Sequence, residues 1–120
     1  MIAEDDAIIA MGLENKITSW GYSVESVVYR GEDAVEASFK SKPDLILMDI
    51  GLKGELDGIE AAKRIKSLDI PVIFVTGQND QGLIKDALKT VPYAILKKPL
   101  LHEILKEKMQ TALKRGPYEL

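Results

Sequence analysis

The 120 residues leave room for one compact domain and little more. An apolar share of 46% suits a globular protein with a real core, and with no cysteine the chain can hold neither a disulfide nor a thiolate metal site. A net charge of -3 speaks against a nucleic-acid surface, no apolar run approaches the roughly 18 residues of a membrane span, and Met1-Ile2-Ala3-Glu4 lacks the basic start of a secretory signal. The expectation is a cytoplasmic protein of one domain, residues 1–120, that contacts neither nucleic acid nor membrane.

Short apolar runs alternate with amphipathic stretches five times along the chain. Ile2-Ala3 reads as a short first strand, and Ile9, Leu13, Ile17 and Trp20 follow at helical spacing up to Gly21. Val24 to Tyr29, rich in β-branched residues, predicts a second strand; Ala34, Val35 and Phe39 predict a short helix before Pro43. Leu45 to Met48 is apolar at every position, as in a parallel strand covered on both faces. Gly51 to Gly58 reads as a loop, followed by a helix with Ile59, Ala62 and Ile65 on one face. Val72 to Val75 is another buried strand, and Leu83, Ile84, Ala87 and Leu88 mark a fourth helix. Ala94 to Leu96 predicts a fifth strand, and Leu101 to Leu113 a last helix that Gly116-Pro117 would stop. Five such units imply an α/β fold, a doubly wound parallel sheet with helices on both faces. Sites in these sheets lie at the carboxyl ends of the strands.

Chemistry-bearing residues stand at those ends. Glu4, Asp5 and Asp6 follow the first strand, Asp49 the third, Thr76 the fourth and Lys98-Pro99 the fifth. Carboxylates that converge resist joint ionisation, and a hard cation such as Mg²⁺ removes the conflict. A lysine and a hydroxyl beside them suit a phosphoryl group in transfer, where positioning and charge stabilisation do most of the catalysis. A carboxylate can itself be the nucleophile, giving an aspartyl phosphate.

Ala3-Glu4-Asp5-Asp6, Leu45 to Asp49, Asp57-Gly58, Val75-Thr76-Gly77 and Lys98-Pro99, in that order, make the chain resemble the response-regulator receiver domain of two-component signalling. The resemblance implies a flavodoxin-like sheet in strand order 2-1-3-4-5. It also implies a phosphoacceptor Asp49, served by a histidine kinase or phosphotransfer protein. Mg²⁺ would be held by Asp5, Asp6, Asp49 and the backbone carbonyl of Gly51. Thr76 and Lys98 would bind phosphoryl oxygens, and a cis Lys98-Pro99 bond is expected. Lys97 would point to the opposite side. Residues two beyond Asp49 and Thr76, Gly51 and Gln78, would flank the water that ends the phosphoryl state. The domain would be a signalling module rather than an enzyme. Helix four, strand five and helix five would face a downstream protein, a fused output domain or a second copy.

The sequence departs from that family's usual pattern at Lys53, often Pro, at Val91-Pro92, often Gly-Ala, and at Ile95, often aromatic. With no ring at Ile95, the output is expected to pass through the Thr76–Asp80 loop and the helix after it. Plainer readings stand beside these. Glu4 is expected to point away from Asp5 by strand alternation, and Asp44 and Asp57 to serve a turn and a helix cap. His102 is expected on the surface. A receiver-like module without phosphorylation and a phosphatase with an aspartate nucleophile are the alternative functions. The phosphatase lacks the second acid that its Asp-x-Asp motif would place at Gly51.

Overall fold

The computed structural model describes residues 1–77 and 81–114. Five strands, β1 (Ile2–Ala3), β2 (Val27–Val28), β3 (Ile46–Asp49), β4 (Val72–Thr76) and β5 (Ala94–Lys97), form one sheet in the order β2-β1-β3-β4-β5. Every pairing is parallel. The helices are α1 (Ala7–Ser19), α2 (Gly31–Ser41), α3 (Gly58–Arg64), α4 (Gln81–Leu88) and α5 (His102–Lys114), with a 3-10 turn at Lys66–Leu68.

Alternation along the strands divides the core in two. Ile46, Met48, Val72 and Phe74 pack with Ala34, Ile59, Ala62 and Ala87, under α2, α3 and α4. Ile2, Leu47 and Ile73 pack with Ala10, Leu13, Ile17, Leu105 and Met109, under α1 and α5. Both faces of β3 and β4 are therefore covered, which is why their sequences are apolar at every step before the site.

Two elements differ from the sequence expectation. Only Val27–Val28 of the predicted second strand pair; this strand lies at the sheet edge, where one neighbour specifies it. On α2 the buried residues are Gly31, Ala34 and Ser38, while Phe39 is exposed. Small residues let this helix approach its neighbours closely. At Gly31 a Cβ would overlap the Leu56 carbonyl, and the Ser38 hydroxyl is satisfied by donating to Ala34 O at 2.7 Å.

Val91 closes α4 in the left-handed region, φ 54°, its amide donating to Leu88 O at 3.0 Å. A β-branched residue is strained there, the more so before Pro92. Its side chain is 75% exposed, so little packing compensates. Val91→Gly is expected to raise stability by about 1 kcal/mol, the strain relieved less the chain entropy that glycine adds. Urea unfolding checks this, with Trp20, edge-on to His102 at 6.5 Å between ring centroids, as the fluorescent reporter. An unchanged or lower midpoint would contradict it.

Candidate functional site

Four strand ends converge. The parallel register sets Ile2 beside Leu47 and Ala3 beside Met48. One step further along the same register, Glu4 stands opposite Asp49 on the same side of the sheet. Glu4 N still donates to Val28 O at 3.0 Å, so its backbone remains tied to the neighbouring strand. Asp49 ends β3 and Thr76 ends β4; Lys98 N donates to Thr76 O at 2.8 Å, which holds the exit of β5 against β4.

Lys98 lies at the centre of the charges. Its Nζ is 2.9 Å from Glu4 Oε1 and 3.7 Å from Asp49 Oδ2. The remaining carboxylate oxygens take backbone amides: Glu4 Oε2 accepts from Asp6 N at 3.1 Å, and Asp49 Oδ1 from Gly51 N at 3.1 Å. Glu4 is 2% exposed, Asp49 9%, and Thr76 is buried. Oxygens of Glu4, Asp5 and Asp49 all lie within 4.8 Å of one another. Lys97, paired with Thr76 in the sheet, is exposed, and Lys98 is the lysine that lies beside Glu4 and Asp49. The Lys98-Pro99 bond is cis, also as expected.

The acidic pair is shifted by one residue from the sequence reading. Asp6, expected beside Asp5 as a metal ligand, is instead the N-cap of α1: its Oδ1 accepts from Ile8 N at 2.9 Å and Ile9 N at 3.2 Å, out in solvent. Two helix amides leave it no reason to turn inward. Glu4, expected to point away, is the residue that enters the cluster. Pleat alternation holds only for extended backbone, and β1 ends at Ala3 with a bend at Asp5, so Glu4 and Asp5 can both face Asp49. The sequence carried part of this information in the preference of Asp for the residue before a helix; the rest lies in the register of β1 against β3.

Asp57 does cap α3, accepting from Glu60 N at 2.9 Å. Gly51 is exposed beside Asp49. Gln78, with Asn79 and Asp80, lies outside the described residues, as do Gly116-Pro117.

Burial raises the Glu4 carboxyl above the ordinary carboxylate range. Lys98 and the Asp6 amide pull it back, while Asp49 and Asp5 push it further up. For Lys98, burial alone would lower the ammonium. The hydrogen bond to Glu4 and the charges of Asp49, Glu4 and Asp5 outweigh that and hold it above its usual value. Lys98 is thus cationic throughout the working pH range. Three carboxylates against one lysine leave excess negative charge, and every donor in the set is a hard oxygen. That chemistry suits a small divalent cation such as Mg²⁺.

Comparison with known proteins places the chain. The family model described as the response regulator receiver domain matches residues 1–110. The chain is 32% identical over 120 residues to the transcriptional regulatory protein AfsQ1 of Streptomyces coelicolor, covering 99% of this chain and 52% of that protein. It is 33% identical over 101 residues to the chemotaxis protein CheY of Thermotoga maritima, covering 82% of this chain and 83% of CheY. It therefore spans about half the length of AfsQ1 and most of CheY. Among solved structures, the receiver domain of the sensor histidine kinase PA1611 from Pseudomonas aeruginosa, which has a magnesium ion coordinated in its active-site cleft, superposes with a TM-score of 0.85. That match is 28% identical and covers 95% of each chain. Strand order and family match agree, and this chain belongs to the response-regulator receiver domains of two-component signalling.

Proposed function

We propose that the chain is a single receiver domain that accepts a phosphoryl group on Asp49 from a histidine kinase or phosphotransfer protein, with Mg²⁺ held by Glu4, Asp5, Asp49 and the Gly51 carbonyl. The observation that carries this reading is the meeting of Asp49, two further carboxylates and Lys98 at the carboxyl end of the sheet. An Asp49 oxygen attacks phosphorus and forms a P–O bond. The P–N bond to the donor imidazole breaks, its electron pair stays on the ring nitrogen, and that nitrogen later takes a proton. Lys98, already 3.7 Å from Asp49, pairs with an oxygen of the arriving group. Thr76 presents its hydroxyl from the end of β4. When bound, the cation offsets the charge that the carboxylates and phosphoryl oxygens gather.

The domain assists its own phosphorylation and the loss of the phosphoryl group, and turns over no other substrate. It works in the cytoplasm. Ile95 is stiff about its first side-chain torsion and has no ring to swing, so the change is read through α4, β5 and α5. The reader is a downstream protein, a fused output domain or a second copy.

Titration with Mg²⁺ followed by amide NMR tests the site. Saturable shifts are expected at Glu4, Asp5, Asp49 and Gly51, with affinity about tenfold or more weaker in Asp5→Asn and nearly unchanged in Asp6→Asn. Equal losses in the two variants would contradict the assignment. Sustained phosphate release from p-nitrophenyl phosphate would instead favour an aspartate-nucleophile phosphatase.

A further inference from the structure

The stretch from Gly51 to Asp57 leaves the site at one end and returns to it at the other. Gly51 N donates to Asp49 Oδ1 at 3.1 Å, and Gly58 N to Ile50 O at 3.0 Å. Between these ends Leu52 is buried, while Lys53, Gly54 and Glu55 are exposed and form no regular element. Backbone polar groups in such a stretch need partners. Here the start of α2 supplies them.

Lys53 forms an isolated parallel bridge with Arg30, and its carbonyl accepts from Gly31 N at 3.4 Å. Glu32, the second residue of α2, reaches further along the loop. Its Oε2 accepts from Glu55 N and meets Arg30 Nε, each at 3.5 Å. Its Oε1 is enclosed against Gly54 and has no hydrogen-bond partner among the described residues; Gly54 is at φ 103°, and a Cβ there would overlap that oxygen. An enclosed carboxylate oxygen without a donor is unfavourable in itself. It persists because the helix N-terminus favours a negative charge and because the loop amides need an acceptor. Its own amide first, and then the Glu55 and Leu56 amides and Arg30, hold the Glu32 carboxyl below the ordinary range against a smaller desolvation effect, so the clamp is charged at neutral pH. None of the phosphoryl chemistry uses this group.

We propose that Glu32 is a positioning residue for the Asp49 site. By clamping Gly54 and Glu55 to α2, it fixes the loop whose other end, Gly51, hydrogen-bonds Asp49 and offers a carbonyl to the cation. The effect on phosphoryl uptake rests on the function proposed for Asp49; the effect on the loop does not.

Hydrogen exchange on the metal-free protein decides the second point. In Glu32→Ala, amides of residues 51–58 are expected to exchange about tenfold faster or more, with β3 and β4 unchanged. Glu32→Gln, which keeps an acceptor oxygen, should fall between. Mg²⁺-dependent uptake from acetyl phosphate decides the first. Glu32→Ala should need several-fold more Mg²⁺ for half-maximal rate, while the rate at saturating Mg²⁺ stays within about twofold of wild type. Ile17→Val, a truncation in the other core layer, lowers stability without touching the loop and serves as control. Unchanged exchange at residues 51–58, or an equal change in Mg²⁺ requirement in Ile17→Val, would overturn the proposal. If the wild-type protein took up no phosphoryl group, the reading of Asp49 would fall. Exchange rates and Mg²⁺ binding would then still decide on Glu32.

Discussion

Lys98→Met is expected to slow phosphoryl uptake about a hundredfold or more, as loss of a preorganised charge at a transferring group does, and to destabilise the metal-free protein. Glu4 would lose the ammonium 2.9 Å from Oε1 and remain nearly buried beside Asp49 and Asp5. Breaking a buried pair costs about 3–5 kcal/mol; because the Lys98 side chain is 26% exposed, the lower end applies at pH 7. The sign with pH follows from the carboxyl. Burial already raises its folded value above the unfolded one, and removal of Lys98 raises it further. The stability a raised carboxyl contributes is present below its unfolded value and lost as pH rises through its folded value. The gap between Lys98→Met and wild type should therefore be widest near neutral pH and close on acidification. Adding Glu4→Gln should recover most of the lost stability but not the uptake. A gap that stays constant from pH 4 to pH 8, or no recovery in the double variant, would show that the pair does not set the local balance.

Gly58→Ala is expected to cost about 3 kcal/mol, although alanine is the better helix former by about 1 kcal/mol. The first residue of α3 lies against the end of β3 so closely that a Cβ would overlap the Asp49 carbonyl oxygen and crowd Ile50 Cα. Backbone cannot swing aside as a side chain can, so either α3 or the end of β3 must shift. Both carry the site, and phosphoryl uptake should fall with stability. Urea unfolding of Gly58→Ala beside Gly12→Ala separates steric overlap from helix propensity, since nothing lies within 4 Å of a Cβ at Gly12. Gly12→Ala should be neutral or stabilising; equal losses in the two variants would refute the packing explanation.

The central sheet was legible because burial on both faces writes itself as uninterrupted apolar runs, Leu45 to Met48 and Val72 to Val75. Residues that break such runs at their carboxyl ends, Asp49 and Thr76, then stand out. Lys98 was legible through the family resemblance, which implies a lysine directly before a proline. The first strand was harder. The strand holds only Ile2–Ala3, so alternation carried past its end gave the wrong phase for the three acids that follow, and Glu4 and Asp6 exchanged roles. Register against β3 fixes that phase, and register is a property of two strands rather than one. Phe39 misled for a related reason: the phase of α2 is set by the small residues Gly31, Ala34 and Ser38, which apolar periodicity does not count. The dependence of the β3–α3 loop on Glu32 had no local mark, because its partners lie across a long separation in sequence.

The most direct measurement is the intact mass of the protein after incubation with acetyl phosphate or phosphoramidate. With Mg²⁺ present the wild-type chain should gain one phosphoryl group. That gain should be absent when Mg²⁺ is chelated and absent in Asp49→Ala that is shown to be folded. A folded wild-type protein that gains nothing from either donor, or a gain that survives in Asp49→Ala, would contradict the assignment of Asp49 as the phosphoacceptor.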